Sequence, residues 1–176
     1  MEGPTKFNLS LKWGGIMGAL LIIVSLIFYL TGMVDMETGK SGILSNILNY
    51  VISIGAIVMA MREFKQSQVN NLTVGEGVVI GILTGIVGGL IVAIYTYIFM
   101  TMIAPEMLDS IRDAAMAGAG DMDSEQEETA GKIMDTMLSP GIMASMVVVM
   151  KFFLGLFVGL IAGMIMKEEN PLANFE

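Results

Sequence analysis

Lys151 is the residue whose type and setting could do most chemistry. It stands about ten residues into the last apolar stretch of the chain, four before Gly155. A charged side chain at membrane depth is costly and faces other helices or a wet cavity, where it can pair with an anion such as a lipid phosphate. The alternative is snorkelling, with the ammonium reaching the nearer interface along its own apolar stem. The acidic segment before this stretch offers a further partner, a carboxylate. Glu76 opens the third apolar stretch, where a helix dipole favours a carboxylate in the first turn. Asn46, Asn49 and Ser53 recur at spacings of three and four, so they share one helix face and suit interhelical hydrogen bonds.

Methionine is the other chemically distinctive residue, at 18 of 176. Twelve lie toward one predicted side: Met33, Met36, Met100, Met102, Met107, Met116, Met122, Met134, Met137, Met143, Met146 and Met150. Thioethers are soft ligands for Cu(I), and Met134 with Met137, or Met143 with Met146 and Met150, have helical spacing for it. Methionine is also a flexible apolar filler, and the composition favours that role; no metal and no cofactor are expected. There is no histidine and no cysteine, which removes imidazole bases, thiol nucleophiles, disulfides and the usual zinc sites. No paired carboxylates share an apolar helix, and no Ser-Lys dyad, phosphate loop or dinucleotide fingerprint occurs. A non-enzymatic role is expected.

The elements that must position these groups are four long apolar stretches, at about residues 13–32, 43–62, 74–103 and 141–167. The chain is 55% hydrophobic and only 15% charged, with mean hydropathy +0.75. Soluble domains average about 25% charged residues, and disordered chains are poor in apolar ones. Each stretch can cross about 30 Å of hydrocarbon as a helix, the one open structure that satisfies its own backbone in lipid. The first has basic residues before it, Lys6 and Lys12, but is long and lacks a small-residue cleavage site after it. It reads as a retained span.

Glycines recur on these spans at intervals of four: Gly77, Gly81, Gly85 and Gly89 on the third, Gly155, Gly159 and Gly163 on the fourth, Gly14 and Gly18 on the first. Residues four apart stack on one face, and a face without side chains lets another backbone approach closely. The third and fourth spans are therefore expected to cross tightly, within the chain or against a copy or another membrane protein.

Between them lies an acidic segment, residues 104–140. Glu106, Asp109, Asp113, Asp121, Asp123, Glu125, Glu127, Glu128 and Asp135 stand against Arg112 and Lys132, which places there seven of the eight net negative charges. Pro105 suits a first helical turn. Met107, Leu108, Ile111, Ala115 and Met116 then follow at helical spacing, and Gly118 and Gly120 break the run. Ser124 with Glu127 has capping-box spacing, and Ile133, Met134, Met137 and Leu138 form an apolar stripe that Pro140 is expected to end. The prediction is a helical hairpin, serving either as a lid or docking surface or as a solvated insert resting on the bilayer. So acidic a chain, with no basic stripe, argues against nucleic acid as a partner.

Lys6, Lys12, Arg62, Lys65 and Lys167 fall on one predicted side, and Lys40, Arg112 and Lys132 on the other. That asymmetry places both termini in the cytoplasm and the acidic hairpin outside. Trp13, Tyr29, Tyr50, Tyr95 and Tyr97 lie near span ends or in outer halves, as interface anchors do.

Short motifs punctuate this plan: Lys12-Trp13-Gly14 at the first span, Ala60-Met61-Arg62-Glu63-Phe64-Lys65 closing the second, Thr73-Val74-Gly75-Glu76-Gly77 opening the third, and Ile103-Ala104-Pro105-Glu106 before the acidic insert. In these the chain, over about residues 11–167, resembles a family of small four-span membrane proteins of Bacteroidota, a domain of unknown function (family number 4199). Its second span often ends in an aromatic-Arg pair; here Met61 precedes Arg62. The resemblance implies the four-span fold and carries no activity or catalytic residue.

The expectation is an all-α, single-domain integral membrane four-helix bundle in the bacterial inner membrane, with an extracytoplasmic acidic helical hairpin between helices 3 and 4. Its expected role is that of an accessory or scaffold protein packing through Gly77, Gly81, Gly85, Gly89, Gly155, Gly159 and Gly163. Its partners would be membrane lipids and a second copy or another membrane protein. The rival is a small transporter or lipid-handling protein with an anion site at Lys151.

Overall fold

The computed structural model describes residues 4–33, 42–68, 71–118 and 123–167. Four long helices make the bundle: α1 (Lys6–Leu30), α2 (Ile43–Ser67), α3 (Val74–Ile98) and α6 (Pro140–Met166). All four are long and apolar enough to cross a membrane, the third counted through Ile103. Two shorter helices, α4 (Glu106–Gly118) and α5 (Ser124–Met137), lie between α3 and α6. Among the described residues the regular elements are all helical.

Two of the long helices, α1 and α3, begin at side-chain caps. Thr5 precedes α1, and its hydroxyl accepts from the Asn8 amide at 3.2 Å. This cap starts α1 almost two turns before the apolar stretch and brings Lys6 to Glu76, 2.9 Å away. Thr73 and Glu76 close a reciprocal capping box on α3. The Glu76 amide donates to the Thr73 hydroxyl at 3.2 Å, and the Glu76 carboxylate accepts from the Thr73 amide at 3.1 Å. Two otherwise orphaned amides are thereby satisfied. Pro140 opens α6 rather than ending α5, which stops at Met137. Proline suits that first turn because its missing N–H would have had no intrahelical partner.

α3 is the centre of the bundle. It packs most extensively on α6, then on α1, and touches α2, which also contacts α1 and α6. The α3–α6 seam is backbone on backbone. A Cβ at Gly81 would strike the Gly155 carbonyl oxygen and lie 2.8 Å from Gly159 Cα. One at Gly85 would strike the Lys151 carbonyl oxygen, and one at Gly77 would lie 2.9 Å from Gly163 Cα. On the other side of α3, Val87 and Ile91 fill the space above Gly14 and Gly18, each 2.7 Å from where a Cβ would stand. Gly88, outside the ladder, receives the terminal methyl of Met17. The core between α1, α2 and α3 holds Leu9, Ile57, Met61, Phe64, Leu72 and Ile80.

At one end of the bundle lie residues 4–12, the end of α2 and the start of α3; this is the terminal end. There Lys12 binds both Glu63 carboxylate oxygens at 2.8 Å, and the Trp13 indole donates to Glu63 at 2.8 Å. At the opposite end α3 widens into a π-helical turn, Phe99–Ile103, where the Ala104 amide donates to the Phe99 carbonyl at 2.9 Å. Beyond it stand α4 and α5, tied by Arg112 and Asp135 at 3.2 Å. Ala104 and Met107 are buried there, while Ile133 and Met137 are exposed. Lys40, Met36, Asp121, Met122 and Gly120 lie outside the described residues, as do the side chains of Ser124 and Glu127.

Candidate functional site

Lys151 projects from α6 toward the middle of the bundle and is 7% exposed. Its stem passes over α3 at Gly89, where a Cβ would lie 3.0 Å from Lys151 Cβ. A side chain at Gly89 would crowd that route. The amine reaches α2 and donates to Asn49 Oδ1 at 2.7 Å and to Ser53 Oγ at 2.8 Å. Ser53 in turn donates to the Asn49 carbonyl at 2.7 Å. The snorkelling expected as one alternative is not what the structure has: the side chain turns inward because α2 offers two oxygens within its reach. Nor, among the described residues, does a carboxylate of the acidic segment reach it. Ion pairs among the described residues include Lys6–Glu76, Lys12–Glu63, Arg112–Asp135 and Lys132–Glu128.

The polar face foreseen on α2 thus divides. Asn49 and Ser53 hold the lysine, whereas Asn46 is exposed. Along α2, Asn49 lies about 9 Å from the helix start, and along α6 Lys151 lies about 16 Å from its start, at 1.5 Å per residue. Both groups therefore lie below the end of the bundle that carries α4 and α5, and well within its apolar length.

Above Asn49 is a cavity of about 220 Å³ between α1, α2, α3 and the π turn. Its polar wall is Ser25 and Tyr29 from α1, Ser45 and Asn49 from α2, and Tyr95 and Thr96 from α3. Its apolar wall includes Leu21, Val24, Phe28, Phe99, Met100 and Met107, the last from α4. Ser25 and Tyr95 share a hydrogen bond of 3.2 Å across it. Phe99 packs edge-on against Tyr29 with ring centroids 5.0 Å apart, and lies 5.5 Å from the Tyr95 ring. Among the described residues, no Asp, Glu, Lys or Arg side chain lines the cavity.

Asn49 joins the lysine to this cavity. Its amide oxygen is taken by Lys151, so what the side chain has left to offer is its two N–H donors. The lysine polarises that amide, which makes it a stronger donor than an isolated asparagine. Where those N–H groups meet the cavity, its wall is donor in character, with the ammonium on the far side of Asn49. An ammonium carries three protons, and two here are engaged.

Sequence spacing found Lys151 and its α2 partners but could not join them, because 98 and 102 residues separate them. Ser25, Ser45 and Thr96 carry no pattern that marks them, and Tyr29 and Tyr95 read as interface anchors. The methionines are dispersed: Met107 is buried, whereas Met102, Met137, Met146 and Met150 are exposed. Among the described residues, no group of three or more Asp, Glu, His or Cys could hold a metal. Thr84 is fully buried on α3, and its hydroxyl has no hydrogen-bond partner.

The chain belongs to the family described as "Protein of unknown function (DUF4199)", which matches residues 12–168. Comparison with curated proteins and with solved structures gives no match.

Proposed function

We propose, starting from a family without an assigned role, that this membrane protein binds an anionic group in the cavity above Asn49, with Lys151 as the source of positive charge. The observation that carries this reading is the buried amine hydrogen-bonded to two neutral oxygens, with no carboxylate among the described residues paired to it. An ammonium taken out of water without a counter-charge is poorly compensated, and breaking a buried pair costs about 3–5 kcal/mol for the same reason. A bound anion supplies the missing charge. The role read from this is lipid handling or transport, because the polar groups that line the cavity are hydrogen-bonding hydroxyls and an amide with a cation behind them. The cavity lies toward the hairpin end, which the lysine and arginine asymmetry assigns to the extracytoplasmic side of a bacterial inner membrane.

The accessory-subunit role drawn from the glycine ladders has less to rest on. Gly77, Gly81, Gly85 and Gly89 already meet α6, and Gly155, Gly159 and Gly163 already meet α3. Those faces are filled inside one chain, so a second copy or another membrane protein would need a different surface.

The test is the anionic content of the purified full chain. Native mass spectrometry of wild type from mild detergent is expected to retain an anionic adduct, and Lys151→Met to lose it. Identical adducts in both proteins would refute the reading.

A further inference from the structure

Resting on that reading, we infer that the anion is a phosphate, and that Asn49, Ser45 and the Ser25–Tyr95 pair are the groups that select it. The polar wall of the cavity comes from three helices, so its protic groups converge from three directions. Ser25 and Tyr29 stand on α1, Ser45 and Asn49 on α2, Tyr95 and Thr96 on α3. A carboxylate offers two oxygens in one plane and is best met by the planar fork of an arginine. Among the described residues, no arginine lines this cavity. A phosphate offers oxygens pointing in different directions and takes donors from all sides, as this wall presents them.

The dimensions bear on what carries the phosphate. About 220 Å³ is below the roughly 300–1,000 Å³ of pockets that enclose a whole small molecule. The site holds a head group, or a free phosphate with water, and anything longer must extend beyond it. The Leu21, Val24, Phe28, Met100 and Met107 side of the wall suits an apolar continuation. Lipid phosphate monoesters and diesters, and inorganic phosphate, share the chemistry; the attached chain distinguishes them.

Seating follows from the donors. One phosphate oxygen accepts from an N–H of the Asn49 amide, whose own oxygen is fixed by Lys151. Ser45, about one helical turn nearer the start of α2, reaches a second. The Ser25–Tyr95 hydrogen bond is exchanged for donation to the phosphate, since either hydroxyl can be the donor. No covalent step occurs.

The experiment uses the full chain in dodecyl maltoside, a detergent without phosphate, with phosphatidylglycerol, oleate or inorganic phosphate added in separate arms. Binding is read by native mass spectrometry and by isothermal titration. Wild type is expected to bind phosphatidylglycerol or inorganic phosphate at least about tenfold more tightly than oleate. Each hydrogen bond to a charged group is worth about 1.5–3 kcal/mol, and about 1.4 kcal/mol is tenfold. Tyr95→Phe keeps the ring and its packing and is expected to weaken phosphate binding about tenfold without lowering the melting temperature. Asn49→Leu and Lys151→Met are expected to abolish it. Binding of phosphatidylglycerol alone assigns the site to lipid head groups, and binding of inorganic phosphate alone assigns it to the free ion; both support the inference. Oleate binding as tight as phosphatidylglycerol and lost in Lys151→Met would overturn the phosphate assignment while leaving the anion site standing. Binding unchanged in Lys151→Met would overturn both.

Discussion

Substituting Gly81 by alanine adds one methyl group at the tightest point of the α3–α6 seam. That carbon would strike the Gly155 carbonyl oxygen and sit 2.8 Å from Gly159 Cα, where ordinary contacts begin near 3.4 Å. Both obstacles are backbone, so no side chain can rotate away and the two helices must separate by about half an ångström or more. A gap of about 0.5–1 Å forfeits a quarter to a half of each dispersion contact, and overpacking of this kind costs about 1–3 kcal/mol. Because the neighbours are rigid, the upper end applies. Alanine returns about 1 kcal/mol through its better helix propensity. The expected net loss is about 2 kcal/mol, or about 4–8 °C in Tm for a chain of this size. Two controls isolate the cause. Gly55 has nothing within 4 Å of an added Cβ, so Gly55→Ala is expected to keep or raise Tm. Gly88 meets the flexible end of Met17, so Gly88→Ala is expected to fall between the two. Thermal unfolding in mild detergent, followed by circular dichroism, ranks all three. A Gly81→Ala protein as stable as Gly55→Ala would refute the claim that backbone contact sets this seam.

Three further outcomes are expected. Thr84→Val exchanges a buried, unpartnered hydroxyl for a methyl of the same shape and should raise stability by about 1 kcal/mol in the same unfolding assay, because leaving such a group unsatisfied costs about 1–3 kcal/mol. Thr73→Ala removes half of the capping box on α3 and should cost about 1 kcal/mol, with Thr73→Ser recovering most of it. The natural chain has no cysteine, so single cysteines report topology cleanly. A membrane-impermeant maleimide on intact cells should label Glu128→Cys at once and Gln68→Cys only after permeabilisation, and the opposite order would invert the proposed orientation.

The spanning helices were legible because lipid leaves an apolar run few structural choices, and the ladder of Gly77 to Gly89 was legible because spacing by four is local. Lys151 was legible as an anomaly but not as a site. Its partners are about a hundred residues away, and each spanning helix is so apolar all round that no stripe distinguishes a lipid-facing side from a buried one. In water, polarity would have marked the difference. Gly88 escaped notice because its neighbour Met17 belongs to another helix. Pro140 has two compatible readings, end of one helix or start of the next, and only the position of the Met137 terminus separates them.

A seam of evenly spaced glycines does not by itself choose a register. Sliding α6 along α3 by one rung, about 6 Å, would again set glycine against glycine over most of its length. The choice is made off the seam, by a cross-brace: Lys151 on α6 meets Asn49 and Ser53 on α2 in a single alignment, and a slipped rung would strand its amine among aliphatic side chains. Polar groups buried in helical assemblies are well attested in this capacity, fixing alignment at some expense in stability. The same amine that would attract a ligand therefore also indexes the bundle.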